Sequence, residues 1–254
     1  MFSRAIKRVL AGRGWELRRR SPVDGPPDFE PEFIALHERC APATMTSIER
    51  MYALYQAVLH VHAARIPGDV VECGVWRGGS AMLAALALDS LGDRERNVWL
   101  YDTFEGMPPP AEVDRSFAGE PAAALLGRTD TASELTRAVA SLDEVRANLA
   151  TTGYPSQRLH FVEGMVEDTI PAVAPEQISI LRLDTDWYES TRHELEHLWP
   201  RLSPGGVLIV DDYGHWQGAR RAVDEFFAAV GPVLLQRIDY TGRLALKPGG
   251  ATIH

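Results

Sequence analysis

ISILRLDTD (residues 178–186) and GGVLIVDDY (residues 205–213) decide how this chain folds. Each is a short apolar run ending in two acids. A continuous apolar run bounded by turn signals reads as a strand buried on both faces, the kind found in parallel sheets. A helix pattern from about Ser190 to Leu202 lies between them, so the unit is strand, helix, strand. In an extended chain residues i and i+2 point the same way, so Asp184 and Asp186 are expected to face one cavity. Adjacent parallel strands lie about 4.8 Å apart, which brings Asp211 or Asp212 within reach of Asp184.

The alternation extends in both directions. DVVECG (69–74), NVWLYD (97–102) and RLHFVEG (158–164) are further strands, and AMLAALALDSL (81–91) and ARRAVDEFFAAV (219–230) are helices. An entry helix runs from Thr46 to Ala64, with Thr46 or Ser47 as its cap and Met51, Leu54, Tyr55, Val58 and Leu59 as its apolar stripe. VLLQRID and RLALKP, joined at Tyr240-Thr241-Gly242, form a closing hairpin. The fold class is therefore α/β, a doubly wound, mainly parallel sheet with a closing antiparallel hairpin. Residues 103–157 break the rhythm with a Pro-rich start, TFEGMPPP. They leave the carboxyl end of a strand, where such sheets bind ligands, and read as a lid.

Composition narrows the function. The chain has 254 residues, 26 Lys and Arg against 35 Asp and Glu, and a net charge of −9. That balance disfavours a nucleic-acid partner and points to a small-molecule substrate. No stretch is long and apolar enough for an integral membrane segment. Two cysteines, Cys40 and Cys73, make no disulfide framework, so a cytoplasmic location is expected. The first twenty residues carry seven basic ones, and SPVDGPPDFEP (21–31) reads as a linker. Residues 1–40 are accordingly a basic tail and linker, and 41–254 the functional domain.

The turn Glu72-Cys-Gly74-Val-Trp-Arg-Gly78-Gly79-Ser80 joins the first strand to the helix after it. Its glycines let backbone amides approach a ligand, and the helix N-terminus favours an anionic group. The spacing is not the G-x-G-x-x-G of dinucleotide folds, so a carboxylate suits it better than a pyrophosphate. Asp102, ending the second strand, is placed to accept hydrogen bonds from ribose hydroxyls. Glu163 and Gly164 end the third strand beside the position of an adenine ring. These features fit S-adenosylmethionine.

Four aspartates in one cleft repel one another, so some are protonated or a cation neutralises them. An all-carboxylate set selects a hard cation such as Mg²⁺. Three of them, Asp184, Asp211 and Asp212, are read as metal ligands, and Asp186 as the general base. His215 is a rival base.

The runs VECGVWRGGS, YDTFEGMP, FVEGMVEDTIP, LRLDTDWYEST and GGVLIVDDYG with GARRAVDEF, in that order, resemble the macrocin O-methyltransferase (TylF/MycF) family of sugar O-methyltransferases. TMTSIERMYALY resembles its entry helix. The resemblance covers roughly residues 43–247. It implies a Rossmann-like class I methyltransferase that uses S-adenosylmethionine and Mg²⁺ to methylate sugar hydroxyls of a glycosylated natural product or glycolipid. It implies Asp184, Asp211 and Asp212 as metal ligands and Asp186 as base. It also implies Glu72, Gly74 and Asp102 as cofactor-binding and Thr44, Met45 and Thr46 as a stretch covering the cofactor; Ser80, Glu163 and Gly164 join the cofactor-binding set by their place on the same rim. A homo-oligomer is expected. A catechol-type metal-dependent O-methyltransferase and a non-enzymatic nucleoside-binding module are the competing readings.

Overall fold

The computed structural model describes residues 28–128 and 138–249. The basic tail, most of the expected linker and part of the expected lid lie outside the described residues. The chain divides into two units, residues 1–31 and 32–254. The first is described only from Asp28 onward. The second carries the sheet and everything discussed below. It takes in residues 32–40, which the sequence reading grouped with the tail. They belong to helix α1 (Pro31–Cys40), with Phe33 and Cys40 buried and the Phe33 ring edge-on to Tyr52, centroids 5.0 Å apart. An aromatic side chain with partners to pack against recruits its segment into the body.

Helix α2 (Ile48–Ala63) starts where the cap predicts. The Ser47 hydroxyl accepts from the Arg50 amide, satisfying one of the orphan donors of the first turn. Strand β1 (Asp69–Cys73) leads to α3 (Gly79–Ser90), then β2 (Val98–Asp102), the short α4 (Ala122–Leu126) and α5 (Leu142–Ala150). Next come β3 (Leu159–Glu163), α6 (Val166–Thr169), β4 (Ile178–Leu183), α7 (Tyr188–Leu198), β5 (Leu202–Val210) and α8 (Gln217–Val230). The pair β6 (Gln236–Arg237) and β7 (Arg243–Leu246) completes it.

The sheet order is β3-β2-β1-β4-β5-β7-β6. Pairings from β3 to β5 are parallel, and β7 joins β5 and β6 antiparallel. Helices α7 and α8 pack on each other. Leu195, Leu198, Val223 and Phe227 from them share one core with Leu181, Leu183, Leu208 and Val210 of the sheet. Helices α2 and α3 pack together and touch β2, β4 and β5. Ten of the twelve α3 residues are buried, so its N-terminus is fixed beside the β1 rim rather than free to swing.

The expected first strand of the hairpin, VLLQRID, is reduced to the two residues of β6. Leu234 is 83 % exposed, and an edge segment without a partner on either side has no ladder to hold it. Among the described residues no helix is long and apolar enough to cross a membrane.

Strand order reverses between β1 and β4, where ligands enter such sheets. The register aligns Cys73 with Leu183 and Leu183 with Val210. The ladder runs one step further, Gly74 N–H to Tyr101 O at 2.9 Å, Asp184 N–H to Cys73 O at 2.8 Å and Asp211 N–H to Leu183 O at 2.9 Å. Gly74, Asp184 and Asp211 thus stand side by side on the carboxyl rim.

Candidate active site

A cavity of about 320 Å³ opens on this rim. That lies at the small end of the size range of ligand pockets. Of the predicted residues, Thr44, Met45, Thr46, Gly74, Ser80, Asp102, Gly164, Asp184, Asp186, Asp211 and Asp212 line it, as does the rival base His215. Glu72 and Glu163 do not. Glu163 ends β3 with its side chain exposed.

The turn after β1 passes under the cavity with no room for a side chain at its first position. Gly74 has φ +83°, and a Cβ there would sit 1.9 Å from the Asp184 carbonyl oxygen. Asp102 holds the turn in shape. Its Oδ2 accepts the Val75 and Trp76 amides at 2.6 and 3.0 Å, and its Oδ1 accepts the Phe104 amide at 2.8 Å. The residue expected to greet a ribose therefore also ties β2 to the glycine turn. From the opposite wall, Thr46 Oγ1 donates to Asp211 Oδ2 at 3.1 Å.

The carboxylate cluster forms as expected in composition, though not by the expected backbone. Oxygens of Asp184, Asp211 and Asp212 lie within 4.8 Å of one another. Asp186 reaches the same cavity through a turn rather than by strand alternation. β4 ends at Leu183, and Asp186 has φ +64°, a left-handed conformation that aspartate tolerates better than most residues. Its amide donates to Asp212 Oδ2 at 3.2 Å, and Trp216 Nε1 donates to its Oδ1. Burial, then the Asp184 charge, push the Asp186 carboxyl up to about 7 against the Trp216 bond. Burial, then Asp186 and Asp211, likewise push Asp212 well above the usual carboxylate range.

Two arginines that the sequence reading passed over sit in this cluster. Arg182 is buried in β4, paired in register with Glu72 on β1. Its Nη1 donates to Glu72 Oε1 at 2.6 Å, and its Nη2 lies 2.8 Å from both Asp184 Oδ2 and Asp211 Oδ1. This explains why Glu72 is not on the cavity. The strand turns its side chain inward onto Arg182, and burial outweighs the guanidinium in raising its carboxyl. Arg50, from α2, contacts Asp211 and lies 3.1 Å from Asp239. An arginine inside an otherwise apolar strand was a usable signal, because buried arginines are almost always paired.

Two guanidinium groups face four aspartates and Glu72, and burial raises the Asp184, Asp186, Asp212 and Glu72 carboxyls, so ionising the whole set calls for further positive charge. Asp211 Oδ1 is buried without an aligned hydrogen bond, despite its nearness to Arg182. Converging hard oxygen donors and an unsatisfied carboxylate oxygen suit a divalent cation. His215 stands at the mouth, its imidazole held below the usual histidine range by burial and by Arg50.

The sequence profile described as Macrocin-O-methyltransferase (TylF) matches residues 37–244. The 8-demethyl-8-(2,3-dimethoxy-alpha-L-rhamnosyl)-tetracenomycin-C 4'-O-methyltransferase of Streptomyces olivaceus is 36 % identical over 93 % of this chain and 88 % of its own. The Mycinamicin III 3''-O-methyltransferase of Micromonospora griseorubida is 35 % identical over 72 % of this chain and 69 % of its own. The solved structure of the O-methyltransferase NovP superposes with a TM-score of 0.69 at 33 % identity, covering 82 % of this chain and 83 % of that one. The Rossmann-like class I fold agrees with these likenesses. This chain belongs to the macrocin O-methyltransferase family and is an S-adenosylmethionine-dependent O-methyltransferase.

Proposed function

We propose that the protein methylates a sugar hydroxyl of a glycosylated natural product, with Mg²⁺ held by Asp184, Asp211 and Asp212 and with Asp186 as the general base. The observation that carries this reading is the convergence of three carboxylates within 4.8 Å on strand ends next to a glycine turn that admits backbone contact. Two relatives named for methylating glycosylated compounds support the acceptor class.

S-adenosylmethionine supplies an electrophilic methyl group, and a divalent cation supplies a positive centre that makes a bound hydroxyl more acidic. The protein's own residues do the rest. Gly74 leaves space for the cofactor against the β1 rim, and Asp102 keeps that turn rigid. Thr44, Met45 and Thr46 form the facing wall. Asp186, oriented by Trp216, receives the hydroxyl proton at its free oxygen as the methyl bond to oxygen forms and the bond to sulfur breaks. Apolar walls from Met107 and Pro108 keep water from the reacting atoms.

The test is a methyl-transfer screen over glycosides and catechols, read by mass spectrometry with and without chelator, alongside calorimetric titration of Mg²⁺. Glycoside methylation that chelation abolishes is expected. Methylation of catechols alone, or turnover indifferent to chelation, overturns the reading. Asp186→Asn is expected to lower turnover by roughly 10²–10⁴-fold while S-adenosylhomocysteine affinity stays within about twofold, within the ordinary context-dependence of single contacts.

A further inference from the structure

Two helices that flank the site start on residues that cannot cap them. Trp187 precedes α7 and Trp216 precedes α8, and neither side chain accepts a first-turn amide. An indole has no acceptor to offer, and helix starts favour Ser, Thr, Asp or Asn there. The missing acceptors come from the loop between β2 and α4. Asp114 Oδ1 accepts the Tyr188 amide, the first of α7, at 2.8 Å. Beside it, Arg115 O accepts the Gln217 amide, the first of α8, at 2.8 Å. Ser116 then pairs with Trp216 in an antiparallel bridge, and its carbonyl accepts from Gln217 Nε2 at 2.9 Å. Three successive loop residues thus close both helix starts from outside.

Asp114 is the charged member of the three. It is 1 % exposed, yet it does not line the cavity. Its Oδ2 accepts the Ala111 amide at 2.8 Å, which ties the loop to itself. A Cβ on Gly218 would lie 1.9 Å from Asp114 Oδ1, so α8 carries glycine where the carboxylate presses against it. A carboxylate lying against the starts of two helices is also favoured by their dipoles.

The two tryptophans carry this docking to the reacting groups. Their rings meet edge to face, centroids 4.9 Å apart, and with Ala122 and Ala219 they form a small core. Trp187 Nε1 donates to Pro108 O at 2.9 Å, back to the same loop. Trp216 Nε1 donates to Asp186 Oδ1. The Asp186 backbone, at φ +64°, is of a kind that persists only where its surroundings hold it. Trp216 holds its carboxylate, and Asp114 holds the amide two residues further on.

We infer that Asp114 is a positioning residue for methyl transfer: seated on the starts of α7 and α8, it fixes Trp216, and through Trp216 the orientation of the Asp186 carboxylate, from outside the cavity. This inference rests on the reading of Asp186 as the base.

The test reads the Trp216 indole directly by nuclear magnetic resonance on protein carrying isotope-labelled tryptophan. The Trp216 Nε1–H resonance, assigned by its loss in Trp216→Phe, reports the bond to Asp186 with no acceptor present. Asp114→Ala and, from the α8 side, Gly218→Ala are expected to shift it upfield toward the position of a free indole. Asp114→Asn, which keeps its volume and one acceptor, is expected to shift it less. Turnover is measured with phenyl α-L-rhamnoside. Asp114→Ala is expected to lower kcat by roughly 10–10²-fold, the scale of a small misplacement of a reacting group, with KM for S-adenosylmethionine unchanged. In a Trp216→Phe background the same substitution is expected to lower kcat no further, because the two act in series. A Trp216 resonance that stays in place in all three variants overturns the inference, as does a full further loss of kcat in the Trp216→Phe background. A shifted resonance with parent kcat overturns the base reading and the inference with it. A parent that leaves the rhamnoside unmethylated counts against the sugar reading, and the resonance still decides whether Asp114 holds Trp216 on Asp186.

Discussion

Replacing Arg182 by Met strips the Glu72 carboxylate of its guanidinium partner in a part of the sheet that water does not reach. Both side chains are 4 % exposed, so the ordinary discount for a surface pair does not apply. Breaking a buried pair by removing one partner costs about 3–5 kcal/mol, because the orphaned charge stays in the interior. For a protein of this size that corresponds to a fall of roughly 6–20 °C in melting temperature. The double variant Glu72→Leu/Arg182→Met removes the Glu72 charge as well and should recover the Glu72 share of the loss, while Asp184 and Asp211 stay without their guanidinium neighbour. The pH dependence follows from the direction of the Glu72 shift. Burial raises its carboxyl in the folded state against the lowering by Arg182. With Arg182 gone the rise grows, so above the unfolded carboxylate pKa the folded state holds a proton that the unfolded state has lost. Stability of the single variant should therefore fall as pH rises from the carboxylate range toward neutrality, and recover on acidification. Urea titration of parent, both single variants and the double variant at several pH values reads all of this. A single variant within about 1 kcal/mol of the parent, the range of an exposed pair, would falsify the assignment of a buried bridge between β1 and β4.

Gly74→Ala should destabilise the fold by about 1–3 kcal/mol or more, since it adds left-handed strain to a clash with the Asp184 carbonyl; near-parent stability in urea would show that the turn has slack. Asp102→Ala leaves the Val75, Trp76 and Phe104 amides without their acceptor. S-adenosylhomocysteine affinity by calorimetry should drop about tenfold or more, given about 1–3 kcal/mol for each unsatisfied group. For Asp239, burial opposes ionisation, but bonds from Gly242, Ser47 and Thr241, with Arg50, hold the carboxyl below its usual range. Its contribution is present above the unfolded carboxylate pKa and lost as pH falls through the folded value. Asp239→Asn should then cost about 1–2 kcal/mol at neutral pH, the worth of hydrogen bonds to a charged group, and less near pH 3. A cost that does not change with pH contradicts that account.

The strands and the positions of their acidic ends were legible because a parallel sheet demands unbroken apolar runs, and only polar residues at the rim interrupt them. β4 and β5 deliver Asp184, Asp211 and Asp212 to neighbouring positions for that reason. What the sequence did not display were partnerships across the chain. Arg182 reads as one polar residue in ISILRLD, and only the register with β1 shows that Glu72 faces it. That register moves Glu72 from an expected cofactor contact to the buried end of a charge bridge. Asp186 was placed in the cavity on strand periodicity, but the strand has already ended. A left-handed turn carries it there instead, a conformation no alternation pattern encodes.

The same limit applies to the loops over the rim. Phe117, His215 and Tyr240, whose rings meet there, stand far apart in sequence, none in a periodic segment, and each alone reads as a loop residue. Loops converge where the sheet's carboxyl edge sends them, so their joint chemistry is fixed by topology rather than by local pattern. The logic of the rim follows in physical terms. Strand ends must carry the charged groups, because strand geometry holds them to a fixed spacing against repulsion. The loops above are under no such constraint and are free to set which acceptor is admitted. A change of acceptor should therefore map to the loops on this rim, and leave Asp184, Asp211 and the Glu72–Arg182 bridge beneath them in place.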